Sequence, residues 1–140
     1  MIKNERQYKI SKSQIARFEA ALDELAAREG KASRLRTLEA TALKSQLDEL
    51  CNDVREYERL KTGRRKPIHI SSFQELPQAL VQARIAAGLT QKELAERMGL
   101  KEQQIQRYEA TGYASASLAR LKQVMESLGA NLAGDMTCAG

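Results

Sequence analysis

LTQKELAERMGLKEQQIQRYE, residues 89–109, decides how the C-terminal half of this chain folds. Thr90 has the side chain of an N-cap, and Glu93 stands three residues later, where it can reach back to the cap amide. Nine residues after Thr90, Gly99 supplies the left-handed turn that ends a helix. A second short helix is expected from about Lys101 to Glu109, with Ile105 and Tyr108 on its inner side. Leu94, Met98, Leu100 and Ile105 form a shared core, and Ala95 is small where the second helix must cross close above the first. The polar residues left outside are Lys101, Glu102, Gln103, Gln104, Gln106 and Arg107.

Working outward, the spacing on both sides is helical. Before the motif, SSFQELPQALVQARIAAG opens with Ser72 and Glu75 at capping-box spacing, presents Leu80, Val81, Ile85 and Leu89 as an apolar face, and stops at Gly88. After it, SLARLKQVMESLG reads as a further helix ending near Leu128 with Gly129 at its terminus, and ANLAGDMTCAG follows as a polar tail. Two short helices across a glycine turn, with a helix on either side, have the spacing of a helix-turn-helix.

These residues resemble the XRE family, the phage repressor and Cro type of helix-turn-helix regulator, over about residues 73–129. The resemblance implies a lambda-repressor-like domain of about four helices that binds double-stranded DNA. It places the second helix of the motif in the major groove, with Glu102, Gln103, Gln104 and Arg107 at base edges. Gln can pair bidentately with adenine, Arg with guanine, and Glu can accept from the cytosine amino group. It puts Gln91 at the phosphate backbone with Thr90 beside it, although capping alone also accounts for the threonine. It further implies that Arg84 and Glu109 form a structural ion pair between the first helix and the end of the recognition helix. In ATGYASAS, where relatives carry basic residues and a proline, this chain departs from the pattern. Tyr113, Ser115 and Ser117 could donate to phosphate there, with capping the favoured role for the serines.

The N-terminal part is organised differently. Ile15, Phe18, Leu22 and Leu25 recur at helical spacing from Ser11 to near Gly30, and Leu35, Leu38, Ala42, Leu43, Leu47, Leu50, Val54 and Tyr57 continue from near Ser33. The short connection at Gly30, Lys31 and Ala32 makes residues 1–60 an antiparallel helical hairpin. The fold class expected for the whole chain is therefore all-α. Two amphipathic helices bury too little surface to stand alone. The heptad-like seam Leu43, Leu47, Leu50, Val54 and Tyr57 is read as a homodimer interface, with packing onto residues 73–140 as the alternative.

Charge separates the two parts. The chain has 140 residues and a formal net charge of +5. Residues 1–60 hold 12 basic and 11 acidic side chains, residues 61–72 hold 4 and 0, and residues 73–140 hold 7 and 7. The excess lies in KTGRRKPIHISS, a linker interrupted by Gly63 and Pro67, in which Ile68 and Ile70 alternate weakly as one short strand would. Arg64, Arg65 and Lys66 are candidates for phosphate or minor-groove contacts, or else a solvated basic linker.

Other classes find little support. The longest stretch without a charged residue is ten, residues 110–119, too short for a membrane span. MIKNERQYKISKS lacks the apolar core of a secretory signal, so the expected location is cytoplasmic. His69, Cys51 and Cys138 do not make a metal set, and no nucleophile or glycine-rich phosphate loop accompanies them, so no enzyme activity and no cofactor are expected. The function expected is that of a dimeric repressor on an inverted-repeat operator. The alternative is an antitoxin whose N-terminal extension holds a toxin protein.

Overall fold

The computed structural model describes residues 1–28, 34–63 and 66–140, and among them it contains helices and no strand. The chain divides into two compact units, Met1–Gly63 and Arg64–Gly140. The segment expected as the hairpin turn, together with Ser33, lies outside the described residues, as do Arg64 and Arg65.

In the first unit, α1 spans Glu5–Ala27 and α2 spans Arg34–Thr62. The start of α1 precedes the expected Ser11 because Asn4, not the apolar pattern, sets it: the Asn4 side chain accepts from the Gln7 amide at 2.8 Å. The helices are locked at their open end by polar contacts. Tyr8 donates its hydroxyl to Glu58 at 2.5 Å, while Tyr57 and Lys61 both donate to Glu5, at 3.3 and 3.1 Å. The hydrogen bond from Lys61 holds the Glu5 carboxyl below its usual range. The rings of Tyr8 and Tyr57 lie 5.1 Å apart between the helices.

This arrangement corrects part of the expected dimer seam. Val54 and Tyr57 are each only 6% exposed in the single chain, with Ile2 at 4% and Leu60 at 5%. Leu43, Leu47 and Leu50 are half-buried. A helix joined by a few residues reaches the stripe before a second molecule does, because closing a short loop costs little entropy. Leu35 and Leu38, by contrast, are left well exposed.

In the second unit, a 3-10 turn at Phe73–Glu75 leads into α3 at Leu76–Ala86, followed by α4 at Gln91–Met98, α5 at Glu102–Ala110 and α6 at Leu118–Leu128. The expected capping box at Ser72 does not form. Ser72 makes no side-chain cap bond, and Glu75 accepts from the Ser71 amide at 2.7 Å. The α-helical ladder starts only at Leu76, with Pro77 in its first turn, so Glu75 sits at the cap of α3 rather than at its third position. The box at Thr90 is complete: Thr90 Oγ1 accepts from the Glu93 amide and Glu93 accepts from the Thr90 amide, both at 3.1 Å. Gly99, at φ +67°, then lets the Leu100 amide return to the Ala95 carbonyl at 2.8 Å. Ser117 caps α6 through the Arg120 amide at 3.1 Å.

The core of this unit gathers Leu76, Leu80, Leu94, Ala95, Met98, Ile105, Tyr113 and Val124. Ile105 and Val124 are wholly buried, each contributing about 1.5–3 kcal/mol of hydrophobic stabilisation. Ile70 packs against this cluster from the irregular segment before α3, with Ile68 half-buried two residues earlier, in place of the short strand suggested by their alternation.

Candidate nucleic-acid interface

The geometry of α5 follows from what is fixed beneath it. Ile105 lies in the core on one turn, and Glu109 is held on the next by a buried ion pair. Arg84 Nε donates to both Glu109 oxygens at 2.9 and 3.0 Å, its Nη2 donates to Oε1 at 2.7 Å, and its Nη1 donates to the Leu89 carbonyl at 2.8 Å. The two side chains are 3% and 1% exposed. One guanidinium thereby joins α3, the turn before α4 and the end of α5. A bidentate pair whose guanidinium also donates to a backbone carbonyl meets the conditions under which a buried charge pair is tolerated.

With its inner side pinned at Ile105 and Glu109, α5 turns Lys101, Glu102, Gln103, Gln104, Gln106 and Arg107 to solvent. They are not equivalent. Gln103 and Arg107 stand one turn apart on the same face, and neither has a side-chain partner among the described residues. Gln106 donates to Glu102 at 3.4 Å, and Gln104 accepts from the Lys101 amide at 3.0 Å. Thr90 is exposed at the start of α4 while serving as its cap.

Two expected DNA contacts are corrected. Gln91 is 5% exposed and donates its side-chain amide to Glu109 at 3.3 Å, so it reinforces the ion pair instead of reaching outward to phosphate. A first-turn position on a short helix can face either way, and the nearby carboxylate draws this one in. Tyr113 is 5% exposed and belongs to the core. Its backbone adopts φ +57°, a left-handed conformation costing on the order of 1 kcal/mol or more, offset by burying the ring against Tyr108 at 5.4 Å, nearly parallel. Burial and the Glu109 carboxylate push its hydroxyl well above the ordinary tyrosine range, so it stays neutral. Two further ties have no counterpart in the sequence pattern: Arg97 donates to the Ser127 carbonyl at 3.1 Å, and Gln123 to the Met98 carbonyl at 3.4 Å, both joining α4 to α6. Long polar side chains on exposed faces carry no spacing signal for such contacts.

The family described as Helix-turn-helix matches residues 80–134. These residues form a helix-turn-helix domain of the XRE family. The helix-turn-helix match begins within α3 and runs through α4, α5 and α6 into the tail, leaving the α1–α2 unit outside it. The family is one of DNA-binding transcription regulators, and this chain carries its DNA-binding domain. No curated protein and no solved structure gives a match. Among the described residues no helix is long and apolar enough to cross a membrane.

Proposed function

We propose that the chain is a sequence-specific transcription regulator that binds duplex DNA as a homodimer, lays one α5 per subunit in the major groove of an inverted repeat, and represses by occupying a promoter. The observation that carries this reading is the two-sided character of α5: Ile105 and Glu109 are built into the domain, and the polar edge between Lys101 and Arg107 is free of it. Gln103 and Arg107 are the side chains best suited to meet adenine and guanine edges. Thr90 stands where the first amides of α4 would meet a phosphate. Footprinting on the DNA upstream of its own coding region tests the proposal. Two protected half-sites centred roughly 34 Å, or a multiple of one helical turn, apart are expected. Absence of binding by the folded protein at moderate salt would defeat it.

The second copy is expected at the first unit, where Leu35 and Leu38 are exposed and Leu43, Leu47 and Leu50 remain partly uncovered after α1 has packed. An antitoxin reading draws on that same stripe, with a toxin protein in place of the second copy. Light scattering on the purified chain separates them, since a dimer in isolation requires no other protein.

Affinity needs a source of positive charge that residues 73–140 do not supply, with seven basic and seven acidic side chains. Arg64, Arg65 and Lys66 would supply it. Neutralising all three is expected to weaken binding to every duplex and to reduce the slope of log affinity against log salt by about 1 for each phosphate no longer neutralised. An unchanged slope would leave the linker outside the interface.

A further inference from the structure

The first turn of α5 divides two adjacent glutamines that look interchangeable in sequence. Lys101 is the N-cap, yet an ammonium group has no lone pair to offer the helix amides, and α5 has no side-chain bond from its cap residue. The cap bond that does form comes from the other direction: Gln104, at the third position, accepts from the Lys101 amide through Oε1 at 3.0 Å. This is half of a capping box, the half that a lysine at the cap still permits. Adenine recognition by glutamine requires the amide oxygen and nitrogen together, one accepting from N6 and the other donating to N7. Gln104 has already committed its oxygen. Gln103, one position earlier and also exposed, has both amide atoms uncommitted among the described residues.

We infer that Gln104 is a positioning residue that caps the recognition helix, and that Gln103 alone of the pair reads a base, an adenine, with Arg107 on the same face reading a guanine. This rests on α5 being the groove-reading helix, and it separates two residues that the family resemblance treats alike. It also fixes the chemistry of the half-site: one adenine whose recognition depends on the side chain at 103, and no base whose identity depends on the side chain at 104.

Selection from a random duplex library tests this with the full-length chain and three variants, Gln103→Ala, Gln104→Ala and Gln104→Glu. Gln103→Ala should abolish the preference for adenine at one position of each half-site, a loss of discrimination of roughly 5- to 150-fold. Gln104→Ala should return the wild-type consensus at every position, with one common loss of affinity across all duplexes. Gln104→Glu keeps an oxygen for the Lys101 amide but has no amide donors. It should unfold at a higher temperature than Gln104→Ala and still select the wild-type consensus, whatever its added charge does to affinity overall. Should Gln104→Ala fold too poorly to assay, the Gln104→Glu consensus decides alone. A consensus that either Gln104 variant relaxes at one base position overturns the inference while leaving groove reading by α5 intact. A wild-type selection that yields no consensus overturns both.

Discussion

Glu109→Ala is expected to lower the stability of the second unit by about 3–5 kcal/mol, the usual cost of removing one partner from a buried pair. Arg84 is 3% exposed; its Nε and Nη2 would lose the carboxylate, while Nη1 would keep the Leu89 carbonyl. Gln91 loses the same acceptor, so a second buried polar group is affected by one substitution. Domains of this size have on the order of 5–15 kcal/mol in total, so a large fraction of the variant should be unfolded at physiological temperature. Urea denaturation of the variant checks this. Combining Glu109→Leu with Arg84→Met should recover most of the loss, because an apolar pair leaves no charge stranded. A destabilisation under about 1 kcal/mol for Glu109→Ala would mean that water reaches the guanidinium.

The double variant Gln103→Ala with Arg107→Ala should behave in the opposite way, leaving the fold intact and removing recognition. Both side chains are exposed and have no intramolecular partner among the described residues, so the thermal unfolding midpoint should hardly move. Binding to the selected duplex should weaken by about 1–3 kcal/mol for each base that is no longer read, while binding to random duplex falls much less. Measuring both duplexes at one salt concentration is the check. Equal weakening on the two would assign these side chains to phosphate and would move base reading elsewhere.

Much of this was legible before any coordinate. The helix order of the second unit, the Thr90 box, the turn at Gly99, and Leu94, Met98 and Ile105 as core follow from spacing and from residues with one strong local preference. Helix starts were less legible where a polar residue outside the periodic stripe sets them. Asn4 begins α1 well before its first apolar position, and Pro77 shifts Glu75 out of the box that Ser72 seemed to offer. Local patterns compete with one another there, and backbone geometry decides.

Side-chain destination was the least legible property. Gln91 and Gln103 have the same chemistry and both occupy the start of a short helix. One is drawn onto Glu109 and the other faces solvent, because Arg84 has assembled a buried charge next to the first and, among the described residues, no partner draws in the second. Tyr113 likewise looks like a polar donor on a loop until its left-handed backbone carries the ring into the core beside Tyr108.

The amino-acid order by itself therefore determined the two-part, all-helical organisation and the helix-turn-helix, since caps, glycine turns and apolar periodicity act over a few residues. Only the tertiary structure decided which polar side chains remain available to a partner. That choice depends above all on charged and polar groups brought together from positions 18 to 25 residues apart, and no local pattern records such distances.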